Sequence, residues 1–213
     1  MYLTQWIPTD GHILELAAGY CDLSNALVAR RRVAIDISPS LPDHAGPGVE
    51  AIVGDATDLS RFEASSFDVV LASNFLEHLD HAIVDSLLDQ ALRVLRPAGR
   101  LVLVQPNFRL VSRRYFDDYT HRTVFTDVSL SDRVASRGYE IERVEGRFLP
   151  FSMRSRLSFG YRLVPFYLRL PYRPLAGQML VVARRPSRNR AEPAIREAIG
   201  RGIIAPIREE CVE

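Results

Sequence analysis

Near its N-terminus the chain reads Ile13-Leu14-Glu15-Leu16-Ala17-Ala18-Gly19-Tyr20-Cys21-Asp22. An apolar run followed by small residues is typical of a strand that enters a tight turn and then a helix. Small residues at such a turn let a ligand approach the backbone closely. The turn alone is a weak indication of a ligand site, because it holds a single glycine and because alanines at a strand end also serve close helix packing.

The same alternation of short apolar runs and helical patterns continues along the chain, and it predicts an α/β fold with a parallel sheet covered by helices. Predicted helices span residues 23–31, 79–95 and 127–137. The second helix stops at Arg96-Pro97-Ala98-Gly99, and the third has Thr126 as its N-cap and Gly138 as its stop. The predicted strands span residues 12–16, 32–37, 49–53, 67–72, 100–105, 139–144 and 178–183.

Composition excludes several classes of protein. The 213 residues are 47% hydrophobic and 25% charged, which are ordinary globular values and exclude a disordered chain, a coiled coil and a collagen-like fibre. No apolar run reaches the ~20 residues that a membrane span needs, and no signal peptide is visible. Two cysteines make no disulfide framework, so we predict a cytoplasmic protein.

We expect one domain over residues 1–185, followed by a solvated C-terminal tail over residues 186–213. Two long connections, residues 106–125 and 146–176, are candidates for lids over a site, since functional lids commonly occupy long connections.

Charge is distributed unevenly along the chain. Residues 1–99 hold 6 arginines and 14 acids, whereas residues 100–213 hold 21 arginines and 12 acids. All 27 basic residues are arginine, which we attribute to codon bias. The basic half favours an anionic substrate, a nucleic acid or a membrane surface as partner, although no RNA-binding module is visible.

Acids follow the second and third predicted strands. Asp36 closes the second strand, where an acid can accept hydrogen bonds from both hydroxyls of a ribose, in NAD or in S-adenosylmethionine. Asp55 follows the third strand and could accept from an adenine amino group. The competing interpretation of Asp36 is a solvated aspartate before the turn at Ser38-Pro39.

Six motifs in this order resemble those of class I S-adenosylmethionine-dependent methyltransferases, over residues 11–185. The motifs are Leu14-Glu15-Leu16-Ala17-Ala18-Gly19, Ile35-Asp36, Gly54-Asp55-Ala56, Phe67-Asp68-Val69-Val70, Phe75-Leu76-Glu77-His78 and Val94-Leu95-Arg96-Pro97-Ala98-Gly99-Arg100-Leu101. The resemblance implies a Rossmann-like, doubly wound, seven-stranded sheet whose last strand is antiparallel to the rest. It also extends to Tyr115-Phe116-Asp117-Asp118-Tyr119-Thr120-His121, which looks like small-molecule members of the family.

The resemblance implies S-adenosylmethionine as cofactor and S-adenosylhomocysteine as its product. Glu15 and Gly19 would lie near the methionine part, Asp36 at the ribose, Asp55 at the adenine and Asn74 beside the sulfonium. The family's usual turn has three glycines, where this chain has Ala17, Gly19 and Cys21, and Cys21 argues further against the pyrophosphate of NAD. The predicted cofactor-binding residues are Glu15, Ala17, Gly19, Tyr20, Asp36, Ile37, Asp55, Ala56, Asn74 and Phe75.

Methyl transfer to a hydroxyl also needs a base, for which an imidazole is the natural group. We predict His121 as that base, with Asp118 or Tyr119 as orienting partner and His78 as second choice; a structural hydrogen bond at a helix start is the competing interpretation of His78. Predicted substrate contacts are Tyr115, Tyr119, Arg113 and Arg114. His78 and His81, together with Glu77, Asp80 and Asp85, could suggest a metal site, but no metal site is predicted, because no cysteine pair or third ligand lies at a convincing spacing.

The predicted function is O-methylation of a sugar, a glycan or a related small metabolite, either anionic or lipid-linked, with contact to a membrane surface as one option. An aromatic or polyketide-type natural product is the second predicted class of acceptor. A non-catalytic S-adenosylmethionine-binding module and a dehydrogenase are two rival hypotheses. We predict no nucleic-acid partner, and the sequence leaves the oligomeric state open.

Overall fold

A computed structural model describes residues 2–150 and 160–187, with the side chains of residues 160–163 left out of the description. It contains seven strands: β1 His12–Leu16, β2 Arg31–Asp36, β3 Val49–Val53, β4 Phe67–Ser73, β5 Leu95–Pro106, β6 Glu140–Glu145 and β7 Gln178–Arg184. Its α-helices are α1 Asp22–Ala26, α2 Leu41–His44, α3 His81–Val94, α4 Phe108–Val111, α5 Asp127–Ser136 and α6 Gly160–Tyr167. Short 3-10 helices lie at Tyr2–Trp6, Leu76–His78 and Tyr115–Asp117.

The strands form one sheet in the order β3-β2-β1-β4-β5-β7-β6. Strands β1 to β5 are parallel to their neighbours, and β7 is antiparallel to both β5 and β6. This confirms the predicted seven-stranded, doubly wound sheet with an antiparallel last strand. The strand order reverses between β1 and β4, so a crevice is expected at the carboxyl ends of these strands.

The sheet is buried on both faces. Along β5, Leu101 and Leu103 belong to the core that includes α3 and α5, while Val102 and Val104 belong to the core on the other face. That second core is completed by Leu3 and Ile7 near the N-terminus and by Leu168 after α6. Alternate side chains of one strand therefore pack into the cores on opposite faces of the sheet, as expected for a sheet covered on both sides.

Two local predictions need correction. The predicted helix over residues 23–31 ends at Ala26, because the chain turns extended at Leu27, whose side chain is buried in the second core, and β2 already begins at Arg31. The sequence predicts that strand β5 begins at residue 100, after the end of the preceding helix, but it begins at Leu95. The residues between Leu95 and Arg100 form a bulge opposite β4. A Cβ at Gly99 would lie 2.8 Å from the carbonyl oxygen of Arg96, so only glycine fits there.

The predicted caps of α5 are present. Thr126 accepts a hydrogen bond from the backbone of Ser129, and Ser129 accepts one from the backbone N–H of Thr126 in return. Gly138 follows the helix with φ +88°, a left-handed conformation that suits glycine.

The two predicted lid connections are built differently. Residues 106–125 contain α4 and the 3-10 helix Tyr115–Asp117. The ends of the 146–176 connection pair with each other through a bridge between Pro150 and Ala176, and its residues 151–159 lie outside the described part of the chain. Most of the predicted tail also lies outside it, as does Cys211. Among the described residues, no helix is long and apolar enough to cross a membrane.

Candidate functional site

The carboxyl ends of four neighbouring strands, β3, β2, β1 and β4, carry most of the residues that the sequence predicts as a cofactor site. The turn after β1 holds Ala17, Gly19 and Tyr20; Asp36 ends β2; Asp55 follows β3; and Asn74 follows β4. Parallel strands present these ends at a single edge of the sheet. The predicted set therefore shares one edge, although its residues are scattered over the first third of the chain.

The turn after β1 has an unusual backbone. Ala17, Gly19 and Cys21 all adopt positive φ, at 51°, 52° and 57°. These are the positions at which the resembled family has glycine, so the chain keeps the left-handed turn with fewer glycines, at a cost of about 1–2 kcal/mol for each non-glycine residue. A Cβ at Gly19 would meet nothing within 4 Å, so the space above the turn is open.

Asp36 connects this turn to the second strand. Its Oδ2 accepts a hydrogen bond from the Gly19 backbone N–H at 2.9 Å, and its Oδ1 accepts one from Ser38 at 2.8 Å. The side chain is only half-buried, and the neighbouring Ile37 is exposed. A carboxylate oxygen can accept more than one bond, so Asp36 keeps capacity for a ligand hydroxyl.

Tyr20 and Asp55 extend the same edge. Tyr20 is exposed and packs edge-on against His44, with their ring centroids 4.8 Å apart. Asp55 is exposed, and its Oδ1 accepts bonds from the backbone N–H and the hydroxyl of Thr57. Ala56, the next residue, is buried in the core.

Glu15 lies beneath the turn rather than on it. Its carboxylate is buried and accepts hydrogen bonds from the backbone N–H and from the hydroxyl of Ser24 in α1. Burial raises the pKa of Glu15 to about 7, and the bonds from Ser24 only partly offset this rise. The side chain thus fastens β1 to α1 and supports the shape of the turn.

Asn74 marks the carboxyl end of β4. It is exposed, has φ +49° and accepts at its Oδ1 a hydrogen bond from the amide of Gln178 at 2.9 Å. Its backbone N–H donates to the Val104 carbonyl, which ties the end of β4 to β5. Phe75, the next residue, is half-buried against the larger core.

A second group of side chains collects directly after β4. His78 lies with its ring centroid 5.0 Å from that of His121, and the Nε2 of His78 is 4.0 Å from Oε1 of Glu77. Glu77 is 1% exposed, and burial raises its pKa to about 8. The His121 side chain is 5% exposed, with its Nε2 3.9 Å from Oδ2 of Asp118.

Hydrogen bonds fix the orientation of His78. The Thr120 hydroxyl lies 2.6 Å from Oδ1 of Asp118, to which it donates, and 2.9 Å from Nδ1 of His78. Because its single proton goes to the carboxylate, Thr120 accepts from Nδ1–H, and the lone pair of His78 then lies on Nε2. Burial lowers the pKa of His78, which favours this neutral form at pH 7. Thr120 also holds the pKa of Asp118 below its ordinary value.

The predicted substrate contacts fall into different environments. Tyr115 is fully buried and its hydroxyl donates a hydrogen bond to the Thr123 carbonyl at 2.5 Å, so its assignment as a substrate contact needs correction: the ring packs against His121 instead. Its centroid is 4.5 Å from that of His121. Tyr119, by contrast, is 93% exposed.

Arg113 and Arg114 line a cavity of about 540 Å³ between α4 and the paired ends of the 146–176 connection. Its other lining residues include Leu110, Pro150 and Leu175. Both arginines are exposed, and the cavity is large enough for a small metabolite.

Sequence reasoning missed three members of this region. Glu77 is considered only for a metal site that the sequence does not predict, and Thr120 and Gln178 carry no predicted function in cofactor or substrate binding. An acid directly beside a histidine after a buried strand is the available signal for Glu77. Nothing local signals Thr120 or Gln178, whose partners lie on distant elements.

Known proteins resemble the chain in sequence and in fold. Residues 14–103 match a family described as a methyltransferase domain. A demethylmenaquinone methyltransferase of Clavibacter sepedonicus is 40% identical over 114 residues, which cover 48% of this chain and 45% of that protein. The chain thus spans less than half the length of the curated relative that it matches.

Solved structures share the fold at lower identity. An S-adenosylmethionine-dependent methyltransferase from Mesorhizobium loti is 18% identical with a TM-score of 0.62, over 86% of this chain and 96% of that one. Another from Methanosarcina mazei is 18% identical with a TM-score of 0.64, over 87% and 97%. These structures show that the chain has the fold of S-adenosylmethionine-dependent methyltransferases, and residues 14–103 share the sequence pattern of a methyltransferase domain.

We expect Glu15→Gln to change how stability depends on pH. The folded carboxyl keeps its proton up to a pKa of about 7, while the unfolded one loses it near 4.5, so ionisation favours the unfolded chain as pH rises through this window. Glu15 therefore lowers the free energy of unfolding by about 3 kcal/mol between pH 4.5 and 7, and the loss stays constant above that. Glutamine carries no such group.

The measurement is urea unfolding of both proteins at pH 4.5 and pH 8. The stability of the wild type relative to Glu15→Gln should fall between the two pH values, whereas the exposed control Glu63→Gln should show no such change. An equal pH dependence of wild type and Glu15→Gln would contradict the assignment.

Proposed function

We propose that the chain is a class I methyltransferase that transfers the methyl group of S-adenosylmethionine to a hydroxyl of a sugar, a glycan or a related small metabolite. One observation carries the proposal: the predicted cofactor residues lie at the carboxyl ends of β3, β2, β1 and β4, and a pair of histidines, His121 buried and His78 half-buried, lies just after β4. Methyl transfer is an in-line displacement, so an enzyme has mainly to hold the acceptor oxygen and the methyl carbon in line at near-attack distance.

The turn after β1 and Asp36 support S-adenosylmethionine as the bound molecule. The open space above Gly19 admits a ligand next to the backbone, and Asp36 retains hydrogen-bonding capacity for ribose hydroxyls. Asp55, Tyr20 and the Asn74 amide add an acid, an aromatic ring and a carbonyl oxygen. Such groups suit the positive sulfonium better than they suit the phosphates of a dinucleotide.

His121 is the proposed base, and His78 the second histidine of the pair. The acceptor O–H proton would pass to a neutral imidazole of this pair as the oxygen attacks the methyl carbon, and S-adenosylhomocysteine would leave. Asp118, 3.9 Å from His121, is positioned to stabilise the imidazolium that forms. The low pKa of His78 keeps that ring neutral at the pH where a base is needed.

The cavity lined by Arg113 and Arg114 supports an anionic acceptor. Guanidinium groups bind phosphate and carboxylate through paired hydrogen bonds, so a sugar phosphate or a lipid-linked glycan would fit these residues. If the acceptor is a lipid-linked glycan, the protein would also contact the membrane surface that holds the lipid.

An aromatic acceptor is the second candidate. Phe116, Tyr119 and Leu175 expose large apolar side chains in the two lid connections. The curated relative is named for demethylmenaquinone, an acceptor with an aromatic ring system, and such an acceptor would pack on these side chains.

Asp36→Ala should weaken binding of S-adenosylhomocysteine by about 1.5–3 kcal/mol, because a ribose hydroxyl loses a charged acceptor. Isothermal titration measures this as roughly a tenfold to hundredfold rise in Kd. Asp36→Asn, which keeps the shape and one acceptor oxygen, should lose less. Asp43→Ala, an exposed acid of α2, is the charge-matched control. Unchanged affinity in Asp36→Ala would remove the ribose assignment.

Methyl uptake from isotope-labelled S-adenosylmethionine tests the activity itself. We expect labelled product from a panel of sugar phosphates and glycans, and label in an aromatic quinone instead would favour the second candidate.

His121→Ala should lower turnover by about a hundredfold or more and leave the Kd for S-adenosylhomocysteine unchanged. His12→Ala, at the amino end of β1, is the control. Cofactor binding without any methylated product from either acceptor class would favour a non-catalytic binding module.

A further inference from the structure

Glu77, His78 and His121 form a cluster that the cofactor site does not use. One donor atom from each residue, a carboxylate oxygen or an imidazole nitrogen, lies within 4.8 Å of the donors of the other two. We call this set the Glu77 cluster. Its donors come from two segments, the 3-10 helix after β4 and the 106–125 connection, so no spacing in the sequence indicates them together.

Two buried polar atoms of the Glu77 cluster have no hydrogen-bond partner among the described residues. They are Oε2 of Glu77 and Nδ1 of His121. The side chains that carry them are at least nine-tenths buried, with exposures of 1% and 5%. An unpartnered buried polar group costs about 1–3 kcal/mol, so two such atoms in one small cluster point to a ligand that satisfies both.

We propose that the Glu77 cluster binds a divalent first-row transition metal ion, with Glu77, His78 and His121 as its protein ligands. Two imidazoles and one carboxylate are the donors that zinc, iron and cobalt ions accept, whereas magnesium and calcium prefer oxygen donors throughout. Three protein ligands leave coordination positions open for water or for a substrate oxygen.

The surroundings of the cluster orient the ligands as a metal site requires. The bond from Nδ1 of His78 to Thr120 fixes the tautomer and leaves Nε2 free to coordinate. Backbone N–H groups of Arg122 and Thr123 both donate to the Glu77 carbonyl, at 2.7 and 3.0 Å, and the Thr123 hydroxyl donates to the Leu79 carbonyl at 2.6 Å. These bonds clamp the two ligand-bearing segments together.

The spacing of the donors is somewhat wider than in a metal-bound site. Nε2 of His78 and Oε1 of Glu77 are 4.0 Å apart, whereas ligands at about 2.0–2.1 Å from a tetrahedral ion are separated by about 3.3 Å. Binding would therefore draw the three side chains inward by rotation about their torsions.

A bound ion would replace the histidine base of the proposed function. An acceptor hydroxyl placed in an open coordination position would have its pKa lowered by the ion and would lose its proton to water, while the two histidines serve as ligands and not as proton acceptors. Metal binding itself requires neither cofactor nor acceptor, so it can be tested separately from methyl transfer.

Zinc titration of the metal-free full chain, prepared with a chelator, tests the site. We expect one equivalent of Zn²⁺ to bind in isothermal titration, and we expect the affinity to fall by about tenfold or more in Glu77→Gln, His78→Ala and His121→Ala. His81→Ala is the matched control, because His81 is an exposed histidine next to the cluster that bonds to Arg133 instead. The control should bind zinc as the wild type does.

Cobalt(II) substitution gives a second readout that needs no variant in the core. A ligand-field absorption band of a four- or five-coordinate Co²⁺ ion is expected in the wild type and should be lost in His78→Ala, whose half-exposed side chain makes it the mildest of the three changes. Circular dichroism verifies that each variant is folded. Two results would overturn the proposal. One is zinc binding that is equally tight in all variants, which would indicate an adventitious ion only; the other is no zinc binding to the wild type. The Kd for S-adenosylhomocysteine is measured in parallel, so a failure of the cofactor assignment is distinguishable from a failure of the metal site.

Discussion

Burial of the sheet on both faces is the constraint on which the rest of this structure depends. Along β5, successive side chains enter opposite cores, and the neighbouring strand β4 and the next strand, β1, are equally enclosed. A strand packed in this way has no face left for polar chemistry, since an unpartnered polar group inside either core would cost several kcal/mol. Polar side chains are therefore confined to the ends of the strands, and Gly19, Asp36, Asp55 and Asn74 all lie at or after a carboxyl end.

Two buried glutamates near this edge illustrate how partners determine what a carboxyl group does. Glu15 receives two hydrogen bonds from Ser24 and so holds the helix after the turn against β1. Glu77 is buried as deeply, but its Oε2 has no partner among the described residues. The carboxylate of Glu15 holds the turn after β1 in shape, whereas that of Glu77 has one oxygen without a hydrogen-bond partner in the described part of the chain and lies beside two histidines.

The sequence predicts the sheet and its edge well because both depend on local patterns. Runs of alternating or continuous apolar residues define each strand, and the acid that ends a run lies at the strand's end whatever the rest of the chain does. The length of α1 could not be predicted in this way, since it is limited by the burial of Leu27 in a core built from distant residues. The burial of Tyr115 and the meeting of Glu77 with His121 also depend on how the 106–125 connection docks, which no local pattern specifies.

The 106–125 connection has a C-terminal part that is fixed against the residues after β4 and an N-terminal part that is exposed. Its C-terminal part is fastened to the residues after β4 by the bonds from Arg122 and Thr123 to the Glu77 carbonyl, so the histidine pair has a fixed position relative to the end of β4. Its N-terminal part carries Arg113 and Arg114 on an exposed surface beside a cavity. Substitutions of Arg113, Arg114 or Leu175, which line the same cavity, could therefore change which acceptor binds without moving the histidines. Within this connection, the exposed arginines before Tyr115 and the exposed Phe116 and Tyr119 after it can therefore vary with the acceptor, whereas His121 is fixed by the backbone bonds of Arg122 and Thr123.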